Sequence, residues 1–297
     1  MDAVLFGNGI GNFIMATPFF QCLEDPEIFI PETDDRRQAI ESISCWPVHP
    51  FRDVSQLEGY RRIYRLWCAP KVETENMIIQ DKPPLGDWPE SLHESEAYLH
   101  LIPEKPPKEI PPPKIKSEGG WKFFRTENQI IIGLGNGSNP SWDKKKWPAD
   151  RWAELIQKLL SMNGNYQFAF FGGKAEAKQG RELEKRFQNK LWNFAGRLSL
   201  AASANTLKQC SFLITTDSGL MHVAGALNIP IVTLWGPTHW AKNRPLSKAP
   251  VYKVSPPPGI CPLYPCYGKP EMWHCKKAVC MESITVEQII KEITKGR

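Results

Sequence analysis

Residues 215–238 read TTDSGLMHVAGALNIPIVTLWGPT. An acid, a hydroxyl, a glycine and an imidazole follow closely on one another as Asp217, Ser218, Gly219 and His222, and a second hydroxyl, Thr238, closes the stretch. Asp-Ser-Gly at a helix start presents backbone N–H groups and the positive end of the helix dipole, about half an elementary charge. That combination suits phosphate. Ser218, Gly219 and Thr238 add neutral donors. The run Lys144-Lys145-Lys146 lies upstream. Taken singly, Asp217 also reads as a helix cap, His222 as a core histidine and the lysines as a solvated run. Their joint placement favours a ligand.

That placement requires particular elements. SFLITT reads as a strand with Asp217 and Ser218 just past its end, where a helix begins. Asn228-Ile229-Pro230 stops the helix, and IVTLW is the next parallel strand, ending in Gly236-Pro237-Thr238. Both polar ends then share one rim of the sheet, and the apolar middle crosses it. Upstream, NQIIIGLGNGS, YQFAFFGG and LWNFAG read as strands. ADRWAELIQKLL, AEAKQGRELEKRF and SLAASANTLKQC read as helices, with Asp150 placed to cap the first. The alternation predicts a parallel sheet covered on both faces. Ligands bind beyond the carboxyl ends of such strands, which marks loops 7–12, 135–142, 172–176, 217–222 and 236–238.

The first half opens the same way. Ala3 to Phe6 is a strand, Gly7-Asn8-Gly9-Ile10-Gly11 a turn, and Phe13 to about Leu23 a helix containing Pro18. The glycines run G-x-G-x-G, short of the dinucleotide fingerprint, so a tight turn without ligand competes with a binding loop. EDPEIFIPETDD suggests a short strand. RRQAIESI, SQLEGYRRIYRLW and HESEAYLHLI suggest helices. Residues 103–116, PEKPPKEIPPPKIK, hold six prolines and read as a semi-rigid linker. The domains are expected at 1–115 and 116–297, with the final helix ITVEQIIKEI packing back across their junction.

A chain of 297 residues with 41% hydrophobic residues has room for two cores. It carries no run near the ~18 apolar residues of a membrane span and no basic secretory leader, so a cytoplasmic protein is expected. The net charge of +5 suits an anionic ligand or an acidic membrane surface and is too small to argue for nucleic acid. Of eight cysteines, Cys22, Cys45, Cys68 and Cys210 are scattered and read as ordinary buried thiols. Cys261, Cys266, Cys275 and Cys280 cluster as C-x4-C-x8-C-x4-C. This is not a common zinc spacing, and it leaves a metal-stapled finger, with zinc or iron, and a thiol-rich loop both open. His274 is a further candidate ligand.

DSGLMHVAGALNIPIVTLWGPT also resembles the signature of glycosyltransferase family 9, the lipopolysaccharide heptosyltransferase family. GIGNFIMATPFFQCL, KKWPADRWAELI, FFGGKAE, NFAGRLSLAA and the tail through CMESITVEQI resemble further family segments in order. The resemblance covers the second half and the first twenty-odd residues; residues 25–120 match weakly. It implies a GT-B fold, two Rossmann-like domains facing across a cleft. It implies an inverting transferase that needs no catalytic metal. The donor, a nucleotide-diphospho sugar with ADP-sugars favoured and ADP-heptose among the candidates, binds mainly the C-terminal domain. The acceptor, a cell-surface glycan or lipid-linked core at the inner membrane face, binds the N-terminal one.

By position, Lys145 matches the lysine that neutralises the donor phosphates, and Ser141 a hydroxyl on the diphosphate. Glu176 matches the acid on the nucleoside, at a ribose hydroxyl. Asp217, Ser218, Gly219 and His222 match the donor-sugar and diphosphate loop, with Thr238 beside them. Gly11 and Thr17 belong to the acceptor-side loop. The family's general base, an aspartate, is here Asn12, and an amide cannot take a proton. Asp34, Asp35 and His222 are the replacement candidates. Two other readings remain: a catalytically impaired nucleotide-sugar-binding or scaffold protein, and a GT-B sugar-nucleotide epimerase, against which the ordered family segments argue.

Overall fold

The apolar runs that open each half of the sequence become the innermost strands of two separate parallel sheets. The structure, a computed structural model, describes residues 1–7, 9–34, 36–66, 69–80, 92–102, 106–123, 126–137, 143–162, 164–267 and 269–295. In the first domain the chain runs β1 (Asp2–Leu5), α1 (Ile10–Phe20), β2 (Glu27–Pro31), α2 (Arg37–Ile43), β3 (Val48–Phe51), β4 (Arg62–Arg65), β5 (Met77–Ile79) and α3 (Glu94–Leu99). Its strands lie in the order β3-β2-β1-β4-β5.

In the second domain it runs β6 (Ile130–Gly135), α4 (Ala149–Met162), β7 (Tyr166–Phe171), α5 (Ala177–Phe187), β8 (Leu191–Asn193), α6 (Leu200–Leu207), β9 (Phe212–Thr216), α7 (Gly219–Ala226), β10 (Ile231–Leu234), α8 (Trp240–Asn243), β11 (Val251–Val254), α9 (Val279–Glu282) and α10 (Val286–Lys295). Here the order is β11-β10-β9-β6-β7-β8. The described pairings in both sheets are parallel. Each sheet winds outward in both directions from its first strand, so each has a switch point, β1/β4 and β6/β9. Ligands lodge at such points in doubly wound sheets.

The two domains share apolar packing. One cluster runs from Val4 and Phe6 through Phe13 and Ile14 of α1 to Val223 and Ala224 of α7. Small residues let α1 and α7 approach: a Cβ on Gly11 would meet His222 Cδ2 at 2.8 Å, and one on Gly219 would meet Ile10 Cβ at 3.0 Å. In the middle of α1, Pro18 has no N–H to give the Ile14 carbonyl. The Thr17 hydroxyl donates to that carbonyl instead, at 2.8 Å.

Of the proline-rich run, residues 106–116 are described and hold no helix or strand. They are strapped to the first domain. Lys114 N–H donates to Thr17 Oγ1 at 3.0 Å, Gln21 Nε2 to the Pro112 carbonyl at 2.9 Å, and Lys116 N–H to the Ile43 carbonyl at 2.7 Å.

Three expectations need correcting. The RIYR part of SQLEGYRRIYRLW is strand β4, not helix; only residues 54–57 make a short 3-10 turn. Arg62 pairs with the fully buried Asp2 at 2.9 Å, which lets a charged stretch enter the sheet. The final helix, α10, packs on α4, β10 and β11 of its own domain rather than across the junction, with Val286, Ile289 and Ile293 in the cluster that holds Trp152 and Ile156. Asp150 lies inside the first turn of α4 rather than at its cap.

Candidate active site

The site forms where the carboxyl ends of β6 and β9 meet the first domain. At the end of β6, buried Asn136 brackets Trp147: its Oδ1 accepts from Trp147 N–H at 2.8 Å, and its Nδ2 donates to the Trp147 carbonyl at 2.9 Å. Trp147 Nε1 donates to the Ile284 carbonyl at 3.0 Å. These bonds fix the loop that carries the lysines just before the tryptophan. Lys145 and Lys146 consequently face two different acids instead of forming a solvated run.

Lys145 Nζ lies 2.8 Å from Asp217 Oδ2 and 4.7 Å above the Tyr267 ring. The lysine side chain is 17% exposed and that of the aspartate 6%. Burial pushes the Asp217 carboxyl up, but Lys145, His222 and the Thr238 hydroxyl outweigh it and hold it below the usual range. Burial works against the Lys145 charge, and Asp217 overcomes it, so the ammonium persists above its ordinary range. This is an ionised, largely dry pair at the amino end of α7.

Ser218 has the extended backbone of an N-cap, yet its side chain caps nothing. Its Oγ is buried and has no hydrogen-bond partner among the described residues. Thr238 Oγ1 is likewise buried. It faces the Asp217 carboxylate closely enough to help hold it ionised, without completing a well-formed hydrogen bond. An orphan hydroxyl at a helix amino terminus beside a buried ammonium is an arrangement for receiving an anion.

His222 sits one turn into α7 against Gly11, and burial pushes its pKa down to about 4. It is neutral at pH 7. Asn12, on the first turn of α1, does not face open water: its Nδ2 donates to Glu94 Oε1 at 2.5 Å. Glu94 is 1% exposed and was not singled out from the sequence. The same Oε1 accepts from the Tyr98 hydroxyl at 2.6 Å, and Oε2 accepts from Asn243 Nδ2 at 3.2 Å, across the domain junction. Next to it, fully buried His93 accepts from Ser95 N–H on Nδ1, so its Nε2 carries the proton and donates to the Arg244 carbonyl at 2.9 Å.

The remaining expected residues are more dispersed. Glu176 is buried on the same rim, where Oε2 accepts from Gly173 N–H at 2.9 Å and Oε1 lies 3.5 Å from Lys146 Nζ. Thr17 is fully buried two turns along α1 and bonded to the proline-rich segment, so it shapes the domain instead of lining the acceptor loop. Asp34 pairs with Arg36 at 3.0 Å. Ser141, Asp35 and Cys68 lie outside the described residues. Cys22 and Cys45 are half-buried and Cys210 buried.

Cys261, Cys266, Cys275 and Cys280 line one pocket with Lys144 and Pro237. Cys266 and Tyr267 N–H both donate to the Pro237 carbonyl, at 2.9 and 2.8 Å. A Cβ on Gly236 would strike Met281 Sδ at 2.3 Å. The cysteine-rich segment is thus moulded onto the Gly-Pro-Thr loop and delivers Tyr267 to Lys145. Burial pushes the Cys280 thiol up to about 11. Among the described residues, no group of three or more His, Cys, Asp or Glu side chains is arranged as it stands to hold a metal ion. None of the described helices is long and apolar enough to cross a membrane.

Residues 126–255 match the family Glycosyltransferase family 9 (heptosyltransferase). Lipopolysaccharide heptosyltransferase 2 of Salmonella typhimurium is 36% identical over 129 residues, covering 42% of this chain and 36% of that protein. The chain therefore aligns with about a third of the length of the curated relatives it matches. The solved Escherichia coli ADP-heptose lipopolysaccharide heptosyltransferase II superposes with a TM-score of 0.70 over 99% of this chain and 98% of that one, at 17% identity. An iron-containing dodecameric glycosyltransferase of enterotoxigenic Escherichia coli superposes with a TM-score of 0.67, covering 99% and 77%, at 18% identity. This chain shares the architecture of two facing Rossmann-like domains, GT-B, with these solved structures.

Proposed function

We propose that this chain, whose residues 126–255 match glycosyltransferase family 9, is a member of that family and moves a sugar from a nucleotide-diphospho-sugar to a hydroxyl of a cell-surface glycan or lipid-linked core. The observation that carries this reading is the Lys145–Asp217 pair at the amino end of α7, beside the unpartnered Ser218 hydroxyl. A donor diphosphate fits there. Lys145 and the α7 N–H groups stabilise the negative charge that grows as the glycosidic bond breaks, and Asp217 keeps the lysine charged and aimed. Glu176, anchored by Gly173 and Lys146, takes a ribose hydroxyl. The acceptor enters from the first domain, on the side of Gly11 and Asn12. Attack from there on a donor held by the second domain is a single in-line displacement and inverts the anomeric centre.

ADP-sugars are the favoured donors, since solved relatives hold ADP and ADP-heptose. The transfer itself runs on protein groups and uses no metal. A structural zinc or iron belongs to the reading only at the cysteine pocket. Four thiols around one pocket are a donor set for either metal, and one solved relative is iron-containing. Elemental analysis of untagged protein decides this: stoichiometric metal supports it, and its absence removes it. We place the enzyme in the cytoplasm, working at the inner membrane face, where a lipid-linked acceptor is found.

Asn12 favours one competing reading, a protein that binds the donor without turning it over. Incubation with ADP-, GDP- and UDP-sugars and lipid-linked acceptor, followed by mass spectrometry, separates the two. Transfer supports the enzyme. Binding without transfer or donor hydrolysis over hours supports the binding protein.

A further inference from the structure

Asn12 deprives the site of a base where the family resemblance places an aspartate, yet a carboxylate sits one hydrogen bond away. We propose, resting on the transferase reading, that Glu94 is the general base, the group that accepts the proton of the attacking acceptor hydroxyl. Its placement carries the assignment. Glu94 belongs to α3 of the first domain, and Asn12 Nδ2 holds its Oε1 at 2.5 Å. The Tyr98 hydroxyl donates to the same oxygen. Two donors therefore fix one oxygen and leave the other, Oε2, directed at the junction. The one described bond to Oε2 comes from Asn243 of the opposite domain, at 3.2 Å. An acceptor hydroxyl entering the cleft takes the place of Asn243 and donates to Oε2.

The transfer balances on this group. The acceptor oxygen bonds to the anomeric carbon as the bond from that carbon to the donor phosphate oxygen breaks. The bonding pair leaves with the nucleoside diphosphate at Lys145. The hydroxyl proton moves to Glu94 Oε2 and is later lost to solvent as the cleft opens. Asn12 is a positioning residue: its amide aims the carboxylate and carries no charge to compete with it.

The other candidates fit less well. His222 is neutral but a weak base, buried beside Asp217, Lys145 and His93. Asp34 is paired with Arg36. Glu94 is buried against the neutral donors of Asn12, Tyr98 and Asn243, with Lys242 and Lys145 the cations that feel it and His93 beside it in sequence. Burial outweighs these partners and raises its carboxyl pKa, which strengthens it as a base relative to an exposed glutamate.

The test compares wild type, Glu94→Gln, Asn12→Asp and the charge-swapped double variant Asn12→Asp/Glu94→Gln. The readouts are transfer rate against pH, ADP affinity and melting temperature. Glu94→Gln should lower kcat by about 10²–10⁴-fold and remove the acid limb of the pH profile, with ADP affinity kept within about threefold. Asn12→Asp alone should also lose activity, because two carboxylates cannot both ionise in hydrogen-bond contact. The double variant should recover part of the rate and show an acid limb again. If Glu94→Gln melts early, the double variant, which keeps one charge at the contact, carries the test.

A Glu94→Gln enzyme with near wild-type kcat and an unchanged acid limb would overturn the assignment of Glu94 alone. A double variant that folds and stays as slow as Glu94→Gln would do the same. Wild type that transfers no sugar from any donor would instead overturn the transferase reading itself, and the base with it.

Discussion

Replacing Lys145 by methionine separates the two tasks assigned to its charge. In the resting protein Nζ is 2.8 Å from Asp217 Oδ2, and both side chains are mostly buried. Opposite unit charges at that distance attract by about 6 kcal/mol at an effective dielectric constant near 20. Desolvation offsets much of this, and removing one partner of a buried pair costs about 3–5 kcal/mol. For a domain of this size that loss lowers the melting temperature by roughly 6–20 °C. The catalytic loss is separate: one missing donor to the leaving diphosphate costs about 3 kcal/mol of barrier, or about 10²-fold in kcat.

Adding Asp217→Asn to Lys145→Met should therefore restore most of the stability and little of the rate, because the stranded carboxylate is gone but the phosphate still lacks its cation. Thermal unfolding and single-turnover transfer measure the two quantities on the same samples. A double variant that regains wild-type kcat would refute the argument. So would a Lys145→Met variant that melts early yet turns over normally, since the lysine would then be structural only.

Two further outcomes follow from the packing. Asn136→Ala removes both partners of the Trp147 backbone. It should destabilise the fold by about 2–4 kcal/mol through unpaired buried groups and weaken ADP binding by loosening the lysine loop, as denaturant titration and calorimetry would show. Burial pushes the His93 pKa from an ordinary 6.5 down to about 4. Above pH 6.5 the imidazole is neutral folded or unfolded, and its contribution is fully present. Below 6.5 the unfolded chain takes up a proton that the folded one refuses, so stability falls until about pH 4, with a slope of up to about 1.4 kcal/mol per pH unit. His222 adds a similar slope over the same window, and His93→Gln should flatten the combined curve by about half.

Much of the second domain was legible because local signals and tertiary demands agree there. Alternating strands and helices with glycine-rich exits give the parallel sheet, and Asp217 and Ser218 fall just past the end of β9 as that reading puts them, whereas Lys145 was reached only through the family resemblance. The first domain was harder to read. The RIYR segment carries the charges of an exposed helix, and only the pairing of Arg62 with Asp2, distant in sequence, makes it a strand. Glu94 escaped for a related reason. In HESEAYLHLI it reads as the usual acid of a helix's first turn, and nothing local says that the turn faces Asn12 and Asn243 instead of water. The one hint was His93 with Glu96, which form a capping box and so fix which way Glu94 points. Tyr267 could not be placed at all until the cysteine-rich segment was seen hydrogen-bonded to Pro237.

The proposed function stands on a nucleoside diphosphate gripped where β9 meets α7. A crystal structure with ADP tests it most directly. The expected result is the diphosphate within hydrogen-bond distance of Lys145 Nζ and Ser218 Oγ, over the first turn of α7. ADP bound elsewhere on the molecule, with Lys145 still closed on Asp217 and Ser218 still unpartnered, would contradict it.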